Sequence, residues 1–192
     1  NFNVDILDSE GPDITLKIPK GNILKENYVG KNMVKYNSCL VVSHFKGHAM
    51  GGFGGALKQL SIGFGSSAGK SWQHSGGKTK SQKEIWQNLC PDKKFQEAMA
   101  EAAWSVVDYF KGNMAFVNLM VNIGPDCDCD GKARGPCMAD IGILSSVDPV
   151  ALDQACLDLV TNSNDPGKKA VIDRINSKLG PLIIDYSVKL GT

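Results

Sequence analysis

The 192-residue chain has no surplus of charge: 21 Lys and Arg face 20 Asp and Glu, leaving a net charge of +1. That balance gives no electrostatic reason to expect nucleic acid or an anionic membrane surface as a partner. The sequence also lacks any apolar run approaching the roughly 18–20 residues that a membrane-spanning helix needs. It has no internal repeat and no low-complexity linker. The opening Asn1-Phe2-Asn3-Val4-Asp5 carries no Met, no basic region and no apolar region, so no signal peptide is visible. Histidine is scarce, with three in the chain, and all of them fall in one glycine-rich stretch.

Glycine is abundant, at 21 residues, and ten of these lie between Gly47 and Gly77. Hydrophobic residues make up 42% and charged residues 21%, which is ordinary for a folded globular protein. The length suits one domain over 1–192, or one large piece of a longer protein, with 1–37 a less certain N-terminal segment. Six cysteines are present, with Cys127, Cys129 and Cys137 close together. In a chain of this length such a trio suggests metal or redox chemistry rather than a disulfide framework, and a cytoplasmic setting.

Hydrophobic periodicity alternates between two repeats. Strands are expected at Ile14–Ile18, Ser38–Phe45, Met114–Ile123, Ile141–Leu144 and Leu182–Ile184. A short helix fits Gly55–Leu60. A longer one opens at Asp92 as N-cap and carries Phe95, Met99, Ala102, Val106 and Phe110 toward Gly112. Asp148-Pro149 and Asp165-Pro166 each pair a capping carboxylate with a proline and open two more helices. Strands alternating with helices predict a layered α/β/α-type fold with a mixed or mostly parallel sheet.

In such sheets ligands bind beyond the carboxyl ends of strands. Two of these ends carry reactive side chains: His44-Phe45-Lys46-Gly47-His48 follows one strand and Cys127-Asp128-Cys129 follows another. Thiols at i and i+2 on extended backbone point to the same side, so both sulfurs can reach one ion. The alternative reading is a pair of reduced thiols acting as a redox switch. His44 and His48 straddle Gly47 after a strand, and either can serve as an imidazole ligand. The segment Gly65-Ser66-Ser67-Ala68-Gly69-Lys70-Ser71 is no phosphate-binding loop, because Phe64 stands where that motif needs its first glycine. Gly51-Gly52-Phe53-Gly54-Gly55 likewise fails the dinucleotide pattern.

These residues carry a resemblance. Ser43-His44-Phe45-Lys46-Gly47-His48, Gly52-Phe53-Gly54-Gly55-Ala56-Leu57-Lys58, Ala68-Gly69-Lys70 and Gln73-His74-Ser75 appear in that order. Asn122-Ile123-Gly124-Pro125-Asp126-Cys127-Asp128-Cys129, Asp140 to Leu144 and Asp148 to Gln154 follow. From about Ser38 to Val160 the chain resembles the DUF362 family, whose members are often described as iron–sulfur or ferredoxin-like proteins. Relative to that pattern an upstream α/β region and a Cys-x-x-Cys-x-x-Cys segment are missing. The chain would then be a C-terminal portion. A more distant resemblance is to the lactate racemase family, which tethers a nickel–pincer cofactor to a lysine; His48, Gly52-Phe53-Gly54-Gly55, Lys58 and His74 match its spacings.

The expectation is therefore a metal- or iron–sulfur-binding α/β protein, an oxidoreductase or other metalloenzyme. Cys127, Cys129, His44 and His48 are the candidate ligands for iron, zinc, nickel or a cluster. Lys58 and His74 are the candidate catalytic residues, and Gly52, Gly54, Gly55 and Lys58 the candidate cofactor cradle. A small-molecule substrate or an electron-transfer partner is implied. The alternatives are a racemase or isomerase built on Lys58, and a non-catalytic thiol module. The cleft predicted from the carboxyl-end rule places the loops after Phe45 and Ile123 on one edge of the sheet. His44 or His48 should approach the cysteine loop there, with Lys58 and His74 lining the same pocket. Cys39, Cys90 and Cys156 should pack as small apolar residues.

Overall fold

The computed structural model describes residues 4–7 and 12–192; of the N-terminal segment 1–37, residues 1–3 and 8–11 lie outside it. Strands β1 (Asp13–Lys17) and β2 (Glu26–Gly30) form an antiparallel ribbon. The central sheet has three strands: β3 (Cys39–His44), then β6 (Met114–Met120), then β7 (Gly142–Ser146). Between β3 and the first helix a small hairpin forms from β4 (Lys46–His48) and β5 (Gly52–Gly54). β3 runs parallel to β6, and β7 antiparallel to β6, so this is an α/β fold with a mixed sheet.

The helices are α1 (Ala56–Lys58, running into a π-type turn over Gln59–Gly63), α2 (Ser67–His74) and α3 (Asp92–Phe110). After the sheet come α4 (Pro149–Asn162), α5 (Lys168–Ser177) and α6 (Leu182–Leu190). Phe45, Phe116, Met120, Leu57, Met99 and Ile183 are fully buried in the main core, on the helix side of the sheet. The opposite side is open: Leu40, Val42 and Ile143 are 62%, 52% and 66% exposed. Among the described residues no helix is long and apolar enough to cross a membrane.

Asp148 caps α4 as its spacing suggests, its carboxylate accepting from Val150 N (2.8 Å) and Ala151 N (2.9 Å). Three expectations need correction. Leu182-Ile183-Ile184 is the first turn of α6 and not a strand. Ile183, Ile184, Ser187 and Leu190 bury at helical spacing, and that period continues past the short apolar run. The strand expected to reach Ile123 stops at Met120, because Asn122 turns the chain at φ +53°. Asp92 lies inside α3 behind Pro91, and its carboxylate faces Lys178 at 3.4 Å instead of capping. β1 is the strand expected at Ile14–Ile18, whereas β2, the β4–β5 hairpin and α2 carry no strong period of their own and are additions to what the sequence suggests.

Candidate functional site

Because β3 and β6 are parallel and in register from Cys39↔Met114 to His44↔Leu119, their carboxyl ends open on the same edge. The two following loops meet there directly. Gly47 N donates to Gly124 O at 2.8 Å, and a Cβ on Gly47 would stand 2.2 Å from Pro125 O. Only a residue without a side chain lets these backbones touch. That contact sets His48 beside the cysteine loop.

The loop is pinned from both sides. Asp126 accepts from Arg134 Nε (2.7 Å) and from Arg174 of α5 (2.7 Å), contacts that hold its carboxyl well below the usual range. Asp128 is bonded to His44 Nδ1 (2.8 Å) and Lys46 Nζ (2.7 Å); burial works against its ionisation, and these two partners outweigh it. With Asp126 and Asp128 turned toward cations, the intervening Cys127 turns inward. Its side chain is buried, while Cys129 stays exposed.

Cys127 Sγ and Cys129 Sγ converge to 2.7 Å, and one ring nitrogen of His48 lies within 4.8 Å of both. Among the described residues this is the one His/Cys/acid group compact enough to hold an ion. The donor set, two thiols and an imidazole, fits a single borderline-soft ion with one coordination position left open. Two thiolates on a tetrahedral ion sit about 3.8 Å apart, given metal–sulfur bonds near 2.3 Å, so modest side-chain rotation suffices.

His48 Nδ1 accepts from the amides of Met50 (3.1 Å) and Gly51 (2.9 Å), the turn of the β4–β5 hairpin. Those two donors place the neutral ring's proton on Nε2, so ligation through Nε2 requires the tautomer with the proton on Nδ1 and a shift of the hairpin turn away from it. Burial, together with Lys58, His74, Lys46 and Arg174, pushes His48 down to about 3, so the ring stays neutral. Lys58, at the end of α1, runs its stem so close to Gly51 that a Cβ added there would stand 3.3 Å from Lys58 Cδ. Burial pulls its ammonium down; thiolates at Cys127 and Cys129 oppose this, and Lys46 and Lys70 add to it. Burial and the Cys127 sulfur push the Cys129 thiol up, while Lys58 pulls it down.

His44 stands apart from the group. One ring nitrogen faces Asp128 and the other Val121 O (2.7 Å), both acceptors, so neither nitrogen is free for a metal. His74 donates from Nδ1 to Lys70 O (2.8 Å) and stacks on Phe95 with centroids 4.5 Å apart. It lines a neighbouring cavity with Met50 and Lys70, whose wall does not include Lys58. The space at Gly52, Gly54 and Gly55 is filled by the protein itself. A Cβ there would meet Gly180 Cα (2.6 Å), His44 O (3.3 Å) and Asp153 Oδ1 (2.5 Å), so at each of these glycines the chain itself approaches closely. Cys156 is fully buried, and Cys39 and Cys90 pack partly against the core. Cys137, exposed, lies 3.5 Å from Gly167 O and outside the group.

Sequence reasoning passes over Asp153. Wholly buried in α4, it accepts from Ala56 N (2.8 Å), Leu57 N (2.9 Å) and Asn118 Nδ2 (2.7 Å), tying α1 and hence Lys58 to β6. Its signal is present: a carboxylate on the apolar stripe Val150, Leu157 and Val160 of a helix. Arg174 and Asp126 leave no such trace, since their pairing depends on a distant contact.

No curated protein and no solved structure matches this chain. A family model does, over residues 1–158, and it is described as a domain of unknown function. With that match covering most of its length and the motifs of its site within it, the chain belongs to the DUF362 family.

Proposed function

We propose that this protein is a metalloprotein whose Cys127, Cys129 and His48 hold one transition-metal ion, and that it acts as an oxidoreductase or related metalloenzyme on a small molecule. The observation that carries this reading is the convergence of two thiols and one imidazole at the carboxyl end of a parallel strand pair. Three converging donors favour a single ion over a four-cysteine cluster, and iron, zinc and nickel all suit the set. The free thiols fit a reducing, cytoplasmic compartment.

An ion bound there supplies a Lewis-acid or redox centre. The chain's own residues do the rest. Lys58 holds an anionic group of the substrate, and its partly suppressed charge lets it give up a proton. His74, with Nδ1 donating to Lys70 O, keeps an unprotonated Nε2 able to take one. Lys46 and Asp128 keep the cysteine loop in place.

The test is purification without oxygen, elemental analysis and titration of the metal-free chain with Co²⁺. About one ion per chain with thiolate-to-metal absorption is expected, abolished by Cys127→Ser or Cys129→Ser. No uptake by fully reduced protein, with ready formation of a Cys127–Cys129 disulfide instead, would overturn the metal reading and favour a thiol switch. Uptake should also release protons, because both thiols must ionise, whereas the neutral His48 ring only moves its proton from Nε2 to Nδ1. Apparent affinity is therefore expected to rise at least tenfold per unit between about pH 6 and pH 8.

A second reading rests on Lys58. An amine pulled toward its neutral form by burial is a nucleophile, which suits a racemase or isomerase with a lysine-tethered group. A stable mass adduct on Lys58, absent from Lys58→Arg, would favour it.

A further inference from the structure

Lys58 stands beside the candidate ion group without a counter-ion of its own. Gly51 is what lets it in. A Cβ there would stand 3.3 Å from Lys58 Cδ, 3.4 Å from Lys58 Cε and 3.6 Å from His48 Nδ1, so the lysine stem and the imidazole share that space. The sulfurs are close as well: the charges of Cys127 and Cys129 act on the ammonium, and its own charge acts on His48. Yet among the described residues Lys58 Nζ makes no hydrogen bond and no ion pair.

The neighbouring cations differ in this respect. Lys46 is paired with Asp128 and Arg174 with Asp126, each at 2.7 Å. Those two carboxylates are also bonded to His44 and Arg134, so neither turns to Lys58. In the loaded group a divalent ion, two thiolates and a neutral imidazole cancel in charge. The half-buried Lys58 ammonium is then left as one unmatched positive charge, which is costly to keep without a partner of opposite sign. Cys127 and His48 are buried while Cys129 is exposed, so such a partner enters on the Cys129 side.

We infer that this place takes a small organic carboxylate, one oxygen on Lys58 Nζ and the other on the coordination position that the three protein donors leave open. The inference rests on the metal reading and deepens it, by setting the anionic group of the substrate at the ion itself and not at a distance from it. An ammonium offers three donors and a borderline ion accepts oxygen, so the two oxygens of one carboxylate serve both. Chloride has the charge but only one atom. An amide has the span but no charge.

The test titrates acetate, acetamide and chloride, at constant ionic strength, into the reduced chain loaded with Co²⁺, whose visible ligand-field bands report a change of ligand. Acetate is expected to shift the bands and to saturate by about 10 mM, at a concentration at least tenfold below that needed of acetamide or chloride. Lys58→Met keeps an unbranched stem against Gly51 and should keep the thiolate-to-cobalt absorption, but weaken acetate about tenfold or more. If the cobalt absorption never appears, the metal reading fails and this inference with it. If it appears and acetate changes nothing, if acetamide or chloride binds as well, or if Lys58→Met responds as the unaltered chain does, this inference alone fails. Cobalt bands already altered by Lys58→Met with no anion present would make the lysine a ligand itself and equally overturn it. The three titrations of the unaltered chain decide the matter even where the variant does not fold.

Discussion

Asp153→Ala is expected to destabilise the protein by about 3–5 kcal/mol, measured by denaturant unfolding. The carboxylate serves three donors in a dry environment: Ala56 N, Leu57 N and Asn118 Nδ2. Truncation orphans all three and leaves a void against Gly55, where a Cβ would already stand 2.5 Å from Asp153 Oδ1. Each buried orphan costs about 1–3 kcal/mol, so the loss exceeds what a surface change produces. Asp153→Asn keeps one acceptor and should lose less. The pH dependence has a definite sign. Burial raises the Asp153 carboxyl from 3.8 to about 6, although its three hydrogen bonds work the other way. Between those values the folded chain holds a proton that the unfolded chain has lost. Stability from this group is therefore full below about pH 4 and falls as pH rises through about 6, by roughly 3 kcal/mol. Wild type should accordingly lose ground to Asp153→Asn over that window, and an unchanged gap would contradict the assignment.

Gly47→Ala should have the second large effect, and mainly on the site. Its new Cβ would lie 2.2 Å from Pro125 O, 2.6 Å from Pro125 C and 2.8 Å from Pro125 Cα, all backbone atoms that cannot rotate away. The two loops must part, breaking the Gly47–Gly124 hydrogen bond and drawing His48 away from Cys127. About 2–3 kcal/mol of stability is expected to go, with Co²⁺ affinity falling about 100-fold or more. Gly131 is the control in the same loop, since nothing lies within 4 Å of its Cβ direction and Gly131→Ala should be neutral. Equal behaviour of the two variants would show that the close approach does not matter.

Much of this is legible in the residues themselves. The i, i+2 thiols after a strand and the glycines beside the histidines point to one edge of the sheet, because strand direction follows from local pattern and the carboxyl-end rule. The choice of His48 over His44 is not legible. Both follow the same strand, and what separates them is tertiary: Asp128 and Val121 O take both nitrogens of His44, while a hairpin turn orients His48. The glycines are legible in place but not in role, since close packing by the chain's own backbone calls for the same residue as close packing around a ligand. Leu182-Ile183-Ile184 reads as a strand because three apolar residues fit either period, and only Ser187 and Leu190 farther on decide it.

The register of β3 against β6 has a consequence for the order of events in folding. His44 and Asp128 are 84 positions apart along the chain, and the ligand group spans a similar gap. No local segment can assemble it in advance, so closing that long loop must precede any capture of an ion. Occupancy then favours the native state alone, adding RT ln(1 + [ion]/Kd), about 2.7 kcal/mol when the free ion stands at 100 times its dissociation constant. A chain emerging from synthesis holds its imidazole and lysine ready long before its thiols arrive, and the arrival of β6 beside β3 is the moment at which the centre comes into being.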